Sequence, residues 1–155
     1  MVLDDGVAHI SRTRPIAAQP QAIWDVLADF GAISAWARDV DHSCILNHGP
    51  GGEILGTTRR AQMGRMALVE RITVVDPLTT VGYDVEGLPK LMGHVANRWT
   101  LRPAGEATEV TITSTVDMGR NPLTRAAEFF VCRGMAKTSD SLLCDLANRM
   151  EKPHA

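Results

Sequence analysis

A run of hairpins followed by one long helix is the order that most restricts how this chain can fold. Between residues 40 and 117, short alternating stretches are separated by turns rich in Gly and Pro; from Asn121-Pro122 to about Met150 the apolar residues recur at spacings of 3 and 4. Asn121 suits an N-cap and Pro122 the first helical position. Consecutive hairpins build an antiparallel sheet with one apolar face, and that face needs cover. The apolar stripe of the last helix, Phe129, Cys132, Met135, Ala136, Leu142, Leu143, Leu146 and Met150, supplies it. The expected architecture is α+β, a curved antiparallel sheet closed around a C-terminal helix.

The elements before that helix follow from local signals. Residues 8–14 alternate as a strand stopped at Pro15. Gln19-Pro20 opens a helix with Ile23, Val26, Leu27 and Phe30 on one stripe, Trp24 beside it and Gly31 as its stop. A second short helix is expected over 32–37, around Ile33 and Trp36, and a strand over 40–46. Strands over 54–63 and 66–75 flank Gly64-Arg65, a pair suited to a two-residue type II′ turn. Asp76-Pro77 ends the second of them, 81–86 returns to Gly87, and 94–102 and 108–117 form the last hairpin around Pro103-Ala104-Gly105.

Alternation assigns the faces. Val95, Asn97, Trp99 and Leu101 turn inward, as do Val110, Ile112, Ser114 and Val116, then Leu68, Glu70, Ile72 and Val74, with Val81, Tyr83 and Val85. The Gly64-Arg65 turn sets Met63 opposite Met66 and therefore Arg59 opposite Glu70. Carried across the sheet, one row reads Thr57, Ile72, Tyr83, Asn97, Ser114 and the next Arg59, Glu70, Val85, Val95, Val116. A polar band thus crosses an apolar wall. A lone charge there costs several kcal/mol, so Glu70 needs Arg59 as its partner.

Composition excludes other classes. With 155 residues and 45% hydrophobic content the chain suits a single domain, 1–155, with a core and a modest cavity. Residues 1–14 carry Asp4, Asp5, Arg12 and Arg14 and no apolar run, so neither a signal peptide nor stable membrane insertion is expected, and the expected location is cytoplasmic. Sixteen basic against eighteen acidic residues, without a basic stripe, argue against nucleic acid as a partner. Cys44, Cys132 and Cys144 read as reduced thiols, and the five histidines show no ligand spacing, so no metal and no cofactor is expected.

The band admits three uses: in a structural one Arg59 and Glu70 are simply a buried pair, and Asn97, Tyr83 and Ser114 satisfy one another beneath the helix. In a binding reading it orients a mostly apolar guest held between sheet and helix. In a catalytic reading Glu70 shuttles a proton, Tyr83 donates a hydrogen bond and Arg59 stabilises an enolate. The apolar loop Leu88-Pro89-Lys90-Leu91-Met92, with Phe130 and Val131, forms either a flexible mouth or a contact with a second copy, in a monomer or a homodimer.

Residues 16–30, Trp36, the run Gly56-Thr57-Thr58-Arg59, the strand Val69-Glu70-Arg71-Ile72 with Asp76, and Trp99 before Pro103 together resemble the SRPBCC (START-like) superfamily, in its polyketide cyclase/dehydrase and lipid-transport branch. The resemblance covers nearly the whole chain. It implies a helix-grip fold: a sheet of about seven strands around a long C-terminal helix, two short helices after the first strand, and an internal cavity. In the plant abscisic-acid receptors of this superfamily the Glu of a similar strand lines the ligand pocket, which matches Glu70, and an aromatic on the following strand matches Tyr83. The tight turn Met63-Gly64-Arg65-Met66 departs from their long gate loop, leaving Gly87 to Gly93 as the mobile lip.

The expected binding wall therefore combines Thr57, Arg59, Glu70, Ile72, Tyr83, Val85, Val95, Asn97, Trp99 and Ser114 of the sheet with Leu88, Leu91 and Met92 of the loop. Phe129, Cys132, Met135 and Ala136 complete it from the helix. The function it supports is a carrier or sensor of a lipid, isoprenoid or polyketide-like molecule. The alternatives are a cyclase/dehydratase working through Glu70, Tyr83 and Arg59, and a protein-interaction module of the toxin or co-chaperone kind.

Overall fold

The computed structural model describes residues 2–4, 7–119 and 122–151. Its strands are β1 (Val2–Asp4), β2 (Val7–Ile16), β3 (His42–Asn47), β4 (Thr58–Met63), β5 (Met66–Asp76), β6 (Thr80–Glu86), β7 (His94–Ala104) and β8 (Ala107–Asp117). Two α-helices, α1 (Pro20–Ala28) and α2 (Pro122–Glu151), and a tight helical segment over Phe30–Ala35 complete the frame. All strands join one antiparallel sheet in the order β1-β2-β8-β7-β6-β5-β4-β3. The expected seven strands are present, and Val2–Asp4 adds an eighth against the start of β2. The helix-grip arrangement is as expected, although the N-cap assigned to Asn121 lies outside the described residues.

Register follows the turn chemistry. Met63 pairs with Met66 and Arg59 with Glu70. Gly64 takes a positive φ of 60° and Arg65 does not, as a II′ turn requires and a I′ turn forbids. The row Ile72, Tyr83, Asn97, Ser114 and the row Arg59, Glu70, Val85, Val95, Val116 both form as expected.

Other boundaries move for identifiable reasons. β2 runs through Pro15 to Ile16, because β1 covers only Val7 to His9 and leaves an open flank where a missing N–H breaks no ladder. Residues 54–57 leave the expected strand, although Gly56 and Thr57 still exchange backbone bonds with Ile72 at 2.9 Å. The second helix begins at Phe30 rather than residue 32. The last hairpin turns on Gly105-Glu106 alone, with Ala104 paired to Ala107. In β5 the register shifts between Ile72 and Val74, so Thr73 is unpaired and the alternation inverts. Val75 then packs on the core, and Val74, expected inside, sits beside Gly82 on the outer face.

The core lies between the inner face of the sheet and α2. Ala8, Ile10, Val110, Ile112 and Val116 meet Cys132, Leu143, Leu146 and Ala147 in one cluster, and Ile23, Trp24 and Leu27 of α1 close one end. Polar ties fix the later half of α2 along β2: Arg12 to Asp140 at 3.5 Å, and the Ala17 N–H donating to Glu151 Oε2 at 2.9 Å. Fully burying a side chain such as Leu146 stabilises by roughly 1.5–3 kcal/mol.

Gly93, between the 88–92 loop and β7, has φ 64°, and a Cβ there would stand 1.9 Å from the Asp117 carbonyl oxygen. Gly105 has a similar φ of 67° but open space around it. Gly93→Ala should therefore lower stability by more than about 1 kcal/mol and by more than Gly105→Ala, read from urea midpoints at equal slope.

Candidate functional site

The polar band condenses on Arg59. Its Nε donates to Glu70 Oε1 at 2.8 Å, with the two side chains only 4% and 8% exposed. Nη1 donates to the Phe30 carbonyl oxygen at 3.0 Å. The guanidinium carbon lies 3.7 Å from the Phe30 ring centre and 4.9 Å from that of Tyr83, and the two rings meet edge to face at 5.4 Å. A planar cation between two π faces, forked onto a carboxylate and a carbonyl, is the arrangement in which arginine tolerates burial. Three strands and the start of the Phe30–Ala35 segment are tied at this point.

Next to it stands a neutral relay. Trp99 Nε1 donates to the Tyr83 hydroxyl at 3.3 Å, and Ser114 Oγ donates to Asn97 Oδ1 at 2.6 Å. Burial raises the Tyr83 phenol above its ordinary value, the Glu70 charge adds to this, and Arg59 with the Trp99 and Asn97 hydrogen bonds opposes it. Tyr83 is thus held as a neutral donor and acceptor.

Beside the band the sheet and α2 diverge, leaving a pocket of about 520 Å³. Its walls are apolar: Leu68, Val85 and Val95 from the sheet, Ile33, Val40 and Ala61 from the side of the short helix, Met63 and Met66 from the β4–β5 turn. Phe130, Val131, Met135 and Leu142 of α2 and Leu88, Pro89 and Met92 of the loop complete them. Arg59, Glu70, Tyr83 and Asn97 form one polar end; Asp39, Thr138 and Asp145 are the other polar contributors. Asp145 accepts from the Arg38 backbone N–H at 3.0 Å and from its Nε at 2.8 Å.

Of the residues expected at the wall, Arg59, Glu70, Tyr83, Val85, Leu88, Met92, Val95, Asn97 and Met135 reach the pocket. The others do not. Thr57 pins the preceding loop, donating to the Glu53 carbonyl oxygen at 3.1 Å and accepting from Gly49 N–H at 3.2 Å. Ile72, Trp99 and Ser114 lie buried beneath the band as its supports. Cys132 is buried in the main core cluster and Ala136 packs against it, and burial, with Glu128 adding to it, pushes the Cys132 thiol up. Phe129 and Leu91 face solvent, each 58% exposed. The helix misassignment has one cause: α2 carries two adjoining apolar faces, one for the core and one for the pocket, and a single stripe merges them. Phe130 and Val131, flagged from sequence as part of a mouth, belong to the second face. Among the described residues no group of three or more His, Cys, Asp or Glu gathers as metal ligands.

The sequence profile of the family described as polyketide cyclase / dehydrase and lipid transport matches residues 7–151. The chain belongs to this family. No curated protein matches it in sequence. Among solved structures, the Zhui aromatase/cyclase from Streptomyces sp. R1128 is similar over 94% of each chain, with a TM-score of 0.77 at 18% identity. A START superfamily protein from Mycobacterium smegmatis aligns over 92% of this chain and 97% of its own, with a TM-score of 0.74 at 16% identity. The di-domain aromatase/cyclase StfQ of the steffimycin biosynthetic pathway aligns over 95% of this chain and 51% of its own, at 0.75 and 15%. At these identities the likeness concerns the fold, and this family member's residues must carry any statement about chemistry.

Glu70→Gln leaves Arg59 without its counter-charge and should cost about 3–5 kcal/mol in urea unfolding, whereas replacing both residues by apolar ones of similar volume should cost far less. Tyr83 is the one tyrosine of the chain, so its titration is directly visible in the ultraviolet. Its phenolate should appear above about pH 10 in the folded protein and near pH 10 only on unfolding. Since the folded-state value is the higher one, this group leaves stability unchanged below about pH 10 and lowers it as the pH rises through the folded value.

Proposed function

We propose that the chain binds a mostly apolar, uncharged small molecule bearing oxygen functions at one end, as a carrier or sensor. The observation that carries this reading is the contrast within one pocket: apolar walls, with Arg59, Glu70, Tyr83 and Asn97 together at one place. The charge of Arg59 is already matched by Glu70, and the remaining charged groups at the wall, Asp39 and Asp145, are acidic. A free carboxylate therefore meets no unmatched cation among the pocket residues, while a hydroxyl or carbonyl finds both donors and acceptors. Burial of apolar surface at roughly 25 cal/mol per Å² supplies the affinity, and the polar end sets the orientation.

Native mass spectrometry of protein gently purified from its own host, against the same sample denatured, tests occupancy directly; a bound mass without a carboxylic acid group is expected, and a fatty acid as the sole guest would overturn the charge argument. A pocket-blocking variant is available without harm to the fold. Gly134 of α2 lines the pocket, keeps an ordinary φ and has nothing within 4 Å of where a Cβ would stand. Gly134→Leu should raise helix stability by up to about 1 kcal/mol and lower affinity for an apolar fluorescent probe; unchanged affinity would remove this wall from the site.

A second reading is a cyclase/dehydratase, favoured by the convergence of Tyr83, Glu70 and Arg59 on the same pocket end. Tyr83, neutral through the working pH range, would donate to a substrate carbonyl, and Arg59 would stabilise the charge that develops there. On that reading Tyr83→Phe lowers kcat by roughly a hundredfold or more on a polyketide-like substrate. Equal turnover in Tyr83→Phe and the parent would exclude it.

A further inference from the structure

The two residues that the structure turns away from the pocket, Phe129 and Leu91, are exposed beside pocket-lining neighbours, Phe130 on α2 and Met92 in the loop, and define a surface of their own. Phe129 and Phe130, 58% and 73% exposed, meet edge to face at 5.6 Å. At 100° per residue Phe129, Arg133, Lys137 and Phe130 fall within one arc of about 100° on α2. From residue 127 to 139 the one acidic residue is Glu128, which is buried, so this stretch presents two aromatic rings and two exposed cations; the next carboxylate on the arc, Asp140, is paired with Arg12 at 3.5 Å. In the other segment that lines the pocket, residues 87–93 repeat the pattern: Leu91 is 58% exposed, Lys90 is exposed beside it, and no acid occurs in the loop. The chain as a whole has more acids than bases, eighteen against sixteen. The nearest acids border these segments: Glu86 at the end of β6 and Asp117 at the end of β8 flank the loop, while Asp39 lines the pocket and Asp41 accepts from Gly64 N–H at 2.9 Å on the side of the β4–β5 turn.

We propose that this face docks on an anionic lipid bilayer, with Phe129, Phe130 and Leu91 entering the interface and Lys90, Arg133 and Lys137 meeting the headgroups. Apolar tips flanked by long cationic side chains match a layered partner, hydrocarbon below and negative charge above. The tips come from two separate segments, α2 and the 87–93 loop, rather than from one continuous strip. Among the described residues no helix is long and apolar enough to cross a membrane, so the contact is peripheral. It goes beyond the binding reading and does not depend on it; together they would give an apolar guest a path between bilayer and pocket that avoids water.

The test is co-sedimentation of the full chain with phosphatidylcholine vesicles, with and without added phosphatidylglycerol. Two paired variants outside the pocket wall, Phe129→Ser/Leu91→Ser and Arg133→Glu/Lys137→Glu, are compared with the parent, circular dichroism and probe binding confirming that each is folded. Binding should require phosphatidylglycerol, weaken with salt, and fall by at least roughly fivefold per altered cation; the apolar pair should fall by roughly tenfold or more. No binding by the parent to phosphatidylglycerol vesicles would overturn the proposal. So would loss with the charge variant alone, which marks simple adhesion, or a dimer that the apolar pair dissolves in the absence of vesicle binding, which assigns the face to a second copy. Retained probe binding with lost vesicle binding, or the reverse, separates this face from the pocket.

Discussion

The buried pairing of Arg59 with Glu70 is the constraint around which the inner face is organised. Two charges removed from water are tolerated only when their geometry and remaining hydrogen bonds are complete. The pair therefore requires the β4–β5 register, the Phe30 carbonyl and the two ring faces at the same time. A slip of one residue along β4 would send Arg59 to solvent and leave Glu70 alone in an apolar wall. That penalty selects a single register. It also fixes where the polar end of the pocket lies, since Tyr83 and Asn97 are the next members of the adjoining row.

α2 divides its labour along and around its axis. Leu143, Leu146 and Ala147 seat it on the sheet, while Phe130 and Gly134 face the pocket and Val131 and Met135 pack between pocket and core. A helix packed along its full length would leave a filled core; one that lifts off at one flank leaves a pocket. The other end of the helix is tied instead, where Asp145 accepts from Arg38 after the short helix, Glu151 accepts from the Ala17 N–H just past β2, and Asp140 meets Arg12 at the surface.

Much of this was readable from residues. A two-residue turn at Gly64-Arg65 fixes register by counting, and strict alternation in β7 and β8 carries it across the sheet, so both rows follow from the residues except for Thr57, which lies just before β4. What escaped is of two physical kinds. The unpaired Thr73 inverts every side chain after it, and no composition rule marks a bulge between Ile72 and Val74. On α2, periodicity identifies apolar positions but not which partner each one meets, so Cys132 and Phe129 were grouped with Met135. Family likeness at under a fifth identity carries the architecture and leaves these local choices to the sequence itself.

The uneven anchoring of α2 also sets the order in which the molecule loosens. Backbone amides of the helix around Leu143 to Ala147 lie under fully buried side chains and should exchange slowly, whereas those around Phe130 to Thr138, where pocket-lining side chains alternate with the buried Cys132, should exchange sooner. Such a gradient makes one rim of the opening a separately melting unit. Its widening needs no rupture of a sheet ladder and would proceed on the timescale of local fraying rather than of global unfolding.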